Sequence, residues 1–557
     1  MTSPLSNADI AAQLQRHAAL LEISGDNAFR ARAFERAAES IRAWPESVAR
    51  LAATGDLRSV PGIGEGIAAA IEQLLASGSF AAHTELTSRF PESLIEITGL
   101  SGVGAKTAQR LYAQLGITDL AALEAALVAG RIGATKGLGK RTEETIRAGI
   151  ESLRQRTGRM PLGVALPVAR ALVEAYRSLN PKVTTSLAGS IRRWEDTVGD
   201  IDLVIATDDC AAVAAALASL SLVASASQVD RDAIRLNLAA GIEADVYCCR
   251  PESWGSTLVR ATGSAAHLER LSSIFEAATE EEIYAANGLP WIPPELRAGG
   301  DEFAWWSEIP GLVQVEDIGG EFHAHSTWSD GGASILEMAE AALDWGYSFL
   351  GITDHSQGLG VANGLTPSRI SAQREEIADA QRQLGDRLRL LAGSEVEVRR
   401  DGSLDFDDEL LSRLDVVVAS VHTGLRQPRE ELTSRLIGVL QNPHVDIIAH
   451  PSGRLIERRP GGDFDWDRVF ASAASTGTAL EINADPARLD LTAAHAMRAS
   501  AAGAVITINC DAHSPSGFAV MEYGVAVARK AWLTPYQILN CWPRSQVLAW
   551  LAERRRS

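Results

Sequence analysis

Short apolar runs punctuate the C-terminal part of the chain, and each ends in polar residues. Phe349-Leu-Gly-Ile-Thr, Asp415-Val-Val-Val-Ala-Ser-Val, Val445-Asp-Ile-Ile-Ala and Ala504-Val-Ile-Thr-Ile are the clearest. They predict buried parallel strands, the kind covered on both faces by helices. The first half reads differently. Ala-rich helical segments dominate it, and Arg30, Arg32, Arg36 and Arg42 follow each other along one amphipathic helix. In the middle, Leu203-Val-Ile-Ala and Ile242-Glu-Ala-Asp-Val-Tyr-Cys predict two further strands. The pattern thus changes from helical, to mixed, to alternating strand and helix.

A chain of 557 residues is too long for one core and implies three or four domains. No apolar run is long enough to span a membrane and no signal peptide is evident, so a cytoplasmic protein without membrane partners is expected. Five cysteines, two adjacent at Cys248-Cys249, form no disulfide or zinc-ribbon pattern. The net charge of −19 argues against non-specific nucleic-acid affinity of the whole molecule, though not against local basic surfaces.

The polar ends of the C-terminal runs carry the chemistry. His323-Ala-His325 is followed by Asp330, then Asp354-His355, Glu395, His422, His450 and Asp511-Ala-His513. Eight of the 11 histidines lie in this part, and six of those eight fall in these clusters. A lone histidine is more often a hydrogen-bonded core residue. Nine ligand-type residues besides Asp354, at successive strand ends, are not explained that way. Ligands at the carboxyl ends of parallel strands meet at one face of a barrel. Imidazoles with carboxylates suit Mn²⁺, Zn²⁺ or Fe²⁺, and nine ligands are enough for two or three ions. Such a site activates water and neutralises a phosphate under in-line attack. Asp354 is either a ligand or a carboxylate that orients one. Glu481-Ile-Asn483 and Arg454 either line the cleft or are an ordinary strand end and a surface arginine.

The segments Phe322-His-Ala-His-Ser-Thr-Trp-Ser-Asp-Gly, Ile352-Thr-Asp-His-Ser, Gly393-Ser-Glu, Ser420-Val-His, Ala449-His-Pro and Cys510-Asp-Ala-His-Ser resemble the polymerase-and-histidinol-phosphatase (PHP) domain. The resemblance covers residues 316–557. It implies a distorted (βα)₇ barrel and metal-dependent phosphoester hydrolysis.

Three Gly-x-Gly turns precede Ala-rich helices in the first part: Ser59-Val-Pro-Gly-Ile-Gly-Glu-Gly, Gly99-Leu-Ser-Gly-Val-Gly-Ala-Lys and the weaker Thr135-Lys-Gly-Leu-Gly-Lys-Arg. Glycine allows a tight turn and close approach, and the helix behind it offers unpaired N–H groups to a phosphate. Such turns read the backbone and not the bases. Lys136, Lys140 and Arg141 cluster at the third. One such turn is commonly a simple helix cap. Three resemble helix–hairpin–helix motifs, and the resemblance makes Gly62, Gly64, Gly66, Gly102, Gly104 and Lys106 the DNA contacts.

In Ala188-Gly-Ser-Ile-Arg-Arg-Trp-Glu-Asp-Thr-Val-Gly-Asp-Ile-Asp, the carboxylates of Asp200 and Asp202 alternate on a strand and share a face. Asp245 lies on a second strand. Three such carboxylates can hold two Mg²⁺, one for a primer 3′-hydroxyl and one for a triphosphate. An Asp-x-Asp alone is commonplace. Together with Gly189-Ser190 and Arg193, it resembles the nucleotidyltransferase palm of family X DNA polymerases. Arg159-Met-Pro-Leu-Gly-Val-Ala-Leu-Pro, Thr262-Gly-Ser264 and Gly288-Leu-Pro-Trp-Ile-Pro-Pro-Glu-Leu-Arg add to the likeness.

The whole chain therefore resembles a bacterial family X DNA polymerase with a C-terminal PHP domain. The resemblance implies an all-α helix–hairpin–helix region over 1–85 (eight-kilodalton-like) and 86–155 (fingers-like). An α+β palm and thumb over 156–315 and the α/β PHP barrel over 316–557 would follow, the last joined by a linker around 298–310. It implies Asp200, Asp202 and Asp245 as catalytic carboxylates with Mg²⁺ or Mn²⁺. Gly189, Ser190, Arg193, Gly199, Gly263 and Ser264 would bind the nucleotide. His323, His325, Asp330, His355, Glu395, His422, His450, Asp511 and His513 would hold two or three of Mn²⁺, Zn²⁺ or Fe²⁺. Gap filling on gapped or nicked duplex DNA with dNTPs is expected, together with 3′–5′ exonuclease activity. Abasic-site cleavage and 3′-phosphatase activity are further activities the resemblance admits. A monomer, associated with the nucleoid during repair, is expected.

Three departures bear on this. Ala70 stands where many relatives carry a lyase lysine, and alanine is no nucleophile. Arg260 and Ala261 replace an aromatic pair before Thr262, and Leu268 stands for an asparagine near the incoming base. Two rivals follow. One is a nuclease whose palm is weak or silent. The other is a small-metabolite phosphatase with a DNA-binding N-terminal half.

Overall fold

The computed structural model describes residues 7–25, 28–43, 48–98, 100, 103–135, 137–156, 159–303, 310–359 and 362–554. Gly99, Gly102 and Lys136, singled out in the sequence, fall outside the described residues. The chain divides into two compact units, Met1–Thr157 and Gly158–Ser557.

The first unit is helical, as its Ala-rich pattern predicts. Its core is one apolar cluster that includes Ile10, Leu14, Leu21, Ile41, Ile71, Leu74 and Leu111. The Gly-x-Gly turns share one backbone device. Ile63 N donates to Val60 O, Val103 N to Leu100 O and Leu138 N to Thr135 O. In the first turn Gly62 has φ +83°, and in the third Gly137 has φ +89°, a region that favours glycine. Gly64 and Gly104 then open the helices Glu65–Ser77 and Ala105–Leu115 in extended conformation. The third copy differs, because Gly139 is left-handed at φ +70° where its helix begins.

The second unit holds fourteen strands among the described residues, in two large sheets and a ribbon. The ribbon pairs β1 (Met160–Pro161) with β3 (Thr197–Val198). The palm-like sheet has the order β2-β4-β7-β6-β5, with β2 Thr185–Leu187, β4 Ile201–Ala206, β5 Val223–Asp230, β6 Ala233–Leu238 and β7 Glu243–Cys249. β4 and β7 run parallel, and their register sets Asp202 beside Asp245.

The remaining strands form a parallel seven-stranded sheet in sequential order: β8 (Gly320–Ala324), β9 (Phe349–Ile352), β10 (Arg389–Glu397), β11 (Val416–Ser420), β12 (Ile447–Ile448), β13 (Ala479–Asn483) and β14 (Ile506–Asn509). All four apolar runs of the sequence appear among them. The sheet nearly closes into a barrel. At the seam, His325 N donates to Ala512 O (2.9 Å) and Ala512 N to His323 O (3.2 Å). The buried Glu321 carboxylate takes Cys510 N at 2.9 Å and His323 N at 2.9 Å, so a side chain stitches the two end strands. The multidomain class expected from sequence, helical region, mixed sheet and (βα)₇ barrel, is the class observed.

Palm and barrel share one continuous apolar cluster, from Leu162 through Val246 to Ile538. The stretch from 298 is not an open tether at its start. Glu302 is buried, accepts from Gly299 N and Gly300 N, and faces His267 Nδ1 at 3.0 Å. Residues 304–309 lie outside the described residues. Among the described residues, no helix is long and apolar enough to cross a membrane.

Candidate metal centres and nucleic-acid interface

The barrel gathers all nine predicted ligands at one end. His323 and His325 leave β8, Glu395 lies on β10, and the others occupy the turns after their strands. Three overlapping groups have ligand atoms within 4.8 Å of one another: His325, Asp330, His355 and His513; His323, His325 and Asp511; His355, Glu395 and His422. Glu395 is central. Its Oε2 lies 2.7 Å from His355 Nδ1 and 3.4 Å from His323 Nε2, while Oε1 lies 3.1 Å from His450 Nε2 and 3.4 Å from His422 Nε2. Asp511 Oδ1 is 3.0 Å from His325 Nε2, and Asp330 Oδ1 is 3.4 Å from His513 Nε2.

These atoms converge without satisfying each other. His323 Nε2, both nitrogens of His325 and Glu395 Oε2 are buried and have no hydrogen-bond partner among the described residues. Buried polar atoms are normally paired, so such orphans call for an ion. The donor set fits divalent metals. Outer partners set the tautomers: His323 Nδ1 meets Glu481 (2.8 Å), His422 Nδ1 meets Glu397 (2.8 Å) and His513 Nδ1 meets the Asp511 carbonyl (2.8 Å). Each leaves Nε2 facing the centre, the usual arrangement around ligating histidines. His450 and Asp511 have positive φ (29° and 53°), a strained backbone at two ligand positions.

The electrostatics follow from this crowding. Burial alone would raise Glu395, but His355, His422 and His323 hold it well below the carboxylate range. Burial works against Asp330 too, and His513, His355 and His325 bring it down to about 2. Burial and the cations of His513 and His355 lower His325 to about 3, so it stays a neutral donor. Asp354 is not among these groups. It accepts from Ser326 N (2.8 Å), Ser326 Oγ (2.6 Å), Ser329 N (3.1 Å) and Gln373 Nε2 (2.5 Å). It therefore shapes the turn that carries Asp330. Arg454 is no free cleft cation either: its Nη1 lies 2.9 Å from Asp196 Oδ2.

Sequence reasoning missed Glu397 and Arg488. Glu397 sits two residues after Glu395 on one strand, so alternation would have placed it on the same face. Arg488 Nε lies 4.0 Å from Asp511 Oδ2, and its Nη1 is buried with no hydrogen-bond partner among the described residues. Nothing in its spacing signals this.

In the palm, Gly189 has φ +60°, and a Cβ there would fall 1.7 Å from Asp202 Oδ2, so only glycine fits. Asp202 accepts from Tyr247 Oη at 3.3 Å. Burial, with the charges of Asp200 and Asp245, pushes Asp202 up to about 7. The three carboxylates are not drawn together as the barrel ligands are. Asp245 instead forms a two-pronged pair with Arg235 on β6, at 2.8 Å each. Arg193 Nη1 donates to Thr262 O at 2.6 Å, and Gly199 lies beside Arg159. Ser264 Oγ accepts from His267 N (3.1 Å), capping the helix Ala265–Arg270, and Gly263 precedes it.

Comparison with known proteins bears on the whole chain. Residues 5–80 match the helix-hairpin-helix domain, and residues 94–152 match the SAM-like helix-hairpin-helix tandem. The DNA polymerase/3′-5′ exonuclease PolX of Bacillus subtilis (strain 168) is 38% identical, over 98% of this chain and 99% of its own. The chain belongs to the PolX family. The barrel is also similar to two probable phosphatases. That of Thermoanaerobacter sp. (strain X514) is 27% identical over 42% of this chain and 91% of its own. That of Syntrophotalea carbinolica is 26% identical over 40% and 90%.

The PolX departures have structural places. Arg260 Nη2 donates to Ile274 O at 2.6 Å. Ala261 packs with Ala188, Val204 and Leu258 behind β4, and Leu268 packs with Ile283 and Tyr284. Ala70 is buried on its helix. Arg30, Arg32, Arg36 and Lys106 are exposed.

Proposed function

We propose that this chain is a DNA repair enzyme that fills short gaps by template-directed nucleotidyl transfer and trims 3′ ends at a second site. The observation that carries this is near-full-length likeness to a polymerase/3′–5′ exonuclease, on a chain whose barrel gathers a cluster of metal-ligating side chains. The helix–hairpin–helix turns of residues 1–155 hold gapped or nicked duplex by its backbone, through Gly62, Gly64, Gly66, Gly102, Gly104 and Lys106. The palm and thumb of 156–315 use Asp200, Asp202 and Asp245 with Mg²⁺ or Mn²⁺. There, Gly189, Ser190, Arg193, Gly199, Gly263 and Ser264 receive the dNTP. The barrel of 316–557 uses its nine ligands with two or three of Mn²⁺, Zn²⁺ or Fe²⁺. Bound cations would supply charge neutralisation at the phosphoryl group and a lowered pKa for the attacking oxygen.

The chain's own residues do the rest. Glu481 and Glu397 accept hydrogen bonds from the Nδ1–H groups of His323 and His422 and leave their Nε2 lone pairs free. Arg488 offers its Nη1, which meets no partner among the described residues, to a phosphate oxygen beside Asp511. In the palm, Asp245 must leave Arg235 before it can serve as a ligand. We read the enzyme as a monomer working on the nucleoid.

The test is a 5′-labelled primer on one-nucleotide-gapped DNA, with and without dNTPs, beside Asp200→Ala and His323→Ala. Extension is expected to vanish only in the first and shortening only in the second. A second reading, a nuclease with a silent palm, is favoured by the Arg235–Asp245 pair and by Arg260, Ala261 and Leu268. Shortening without extension under Mg²⁺ and Mn²⁺ would establish it.

A further inference from the structure

The turn Trp194–Asp196 follows Arg193 and contributes nothing to the chemistry above, yet the barrel grips it at three points. Lys530 Nζ donates to Trp194 O (3.2 Å) and lies 2.9 Å from Glu195 Oε2. Arg454 Nη1 lies 2.9 Å from Asp196 Oδ2. The Trp194 ring meets Tyr523 edge-on, at 5.4 Å between centroids and 89° between planes. Trp194 has φ +54°, a left-handed conformation unfavourable to a bulky residue. The turn is therefore held by its contacts and not by its own preference.

On its palm side the same turn is tied to the Gly189-Ser190 loop. Glu195 N donates to Ser190 O (3.1 Å), Trp194 N to Ile191 O (3.2 Å) and Arg193 N to Gly189 O (3.2 Å). Arg193 Nε is buried with no hydrogen-bond partner among the described residues and lies 3.6 Å from Glu195 Oε1. On its barrel side, Tyr523 and Lys530 belong to the helix Met521–Lys530, which follows the Asp511–His513 ligand segment through Pro515–Val520. Glu522 of that helix grips Arg170 of the palm at 2.6 and 2.8 Å. Arg454 stands four residues after His450, and its Nε donates to Arg488 O at 2.6 Å.

We infer that Lys530 and Arg454 of the barrel are positioning residues for the nucleotidyl-transfer site: they fix the Trp194–Asp196 turn, and through it Ser190 and Arg193, where these meet an incoming triphosphate. The inference rests on the polymerase reading of the palm. Nucleotide affinity then depends on barrel side chains remote from the nucleotide, because binding groups already held in place leave less ordering cost to the binding step. The competing view is that these pairs merely glue two domains. Partly exposed ion pairs of this kind contribute little to stability, so glue alone predicts little change on their removal.

Lys530→Met in the full chain keeps the aliphatic stem and removes the ammonium. The KM for dNTP is expected to rise about tenfold, with kcat and 3′–5′ degradation within about twofold of wild type, and Lys530→Arg should restore it. Hydrogen exchange without nucleotide should accelerate at the amides of 190–196 in the Met variant. Unchanged exchange there overturns the inference, whatever happens to activity. So does an unchanged KM in an active enzyme, or an equal loss of extension and degradation. If the wild type extends no primer, the polymerase reading fails, and the exchange comparison still decides whether the barrel fixes this turn.

Discussion

Glu481 is not among the nine candidate ligands, yet its replacement should be felt at the barrel centre. Its carboxylate takes His323 Nδ1 at 2.8 Å and His450 N at 2.6 Å, so it orients two ligands from two strands. Carboxylates in this role typically contribute 10–100-fold to metal affinity. Glu481→Ala should weaken Mn²⁺ binding by about that factor in chelator competition, and wild-type affinity in the variant would remove this role. A second residue acts on stability. Glu280 is buried between Arg297 (2.5 and 3.0 Å) and Arg192 (2.8 and 3.0 Å). Burial alone would raise its pKa, but the two guanidinium groups outweigh burial and bring it down from 4.5 to about 2. A depressed folded-state pKa means stability that is complete above the unfolded value near 4.5 and lost as pH falls towards 2. Glu280→Gln should therefore lower the melting temperature at pH 6, and its deficit against wild type should shrink by pH 3. A deficit independent of pH would mean that packing, not charge, is what the substitution removes.

At the scale of elements, the helix–hairpin–helix turns are the most directly testable. Gly62 at φ +83° has nothing closer than 3.8 Å around a Cβ, so Gly62→Ala meets backbone strain without a clash. The cost for an L-residue there is about 1–2 kcal/mol. The expected outcome is a modest loss of stability in the N-terminal unit and weaker duplex binding, equal across DNA sequences because the turn reads phosphates. A sequence-dependent loss would contradict that. The turns, the apolar runs of the barrel and the Asp-x-Asp strand were all legible, because each is a local pattern of residue type at a fixed spacing. The nine candidate ligands of the barrel were legible for the same reason, since they sit at or just beyond the carboxyl ends of their strands. What stayed hidden are partners far apart in the chain. Arg235 taking up Asp245 is a cross-strand event between β6 and β7, and Arg454 meeting Asp196 spans 258 positions. Neither leaves a periodic trace. Asp354 was ambiguous because a carboxylate beside a histidine looks the same whether it binds a metal or two serines. Only the surrounding N–H and O–H donors separate the two.

At the scale of the whole molecule, the cores do not follow the functional divisions. The N-terminal unit has an apolar cluster of its own. Palm and barrel have smaller clusters of their own, but their main cluster is shared, running from Leu162 and Leu203 through Ile318 to Ile508 and Ile538. Ion pairs across the same boundary, Arg170–Glu522, Arg529–Glu295 and Lys530–Glu195, add to that continuity. Cooperative unfolding follows shared burial, so the chain should melt in two calorimetric transitions and not three. Metal bound at the barrel stabilises whatever unfolds with it by RT ln(1 + [L]/Kd), about 2.7 kcal/mol at a hundredfold excess over Kd. Adding Mn²⁺ should therefore raise one transition and carry the palm with it, while the transition of the N-terminal unit stays where it was. Palm unfolding can be followed separately by hydrogen exchange at β4 and β7. If exchange there ignores Mn²⁺ while the barrel is protected, or if a third transition appears, palm and barrel are independent folding units and the shared cluster is only a contact surface. If the palm strands are protected together with the barrel, the two catalytic centres stand on one cooperative body, which the positioning of Ser190 and Arg193 by Lys530 requires.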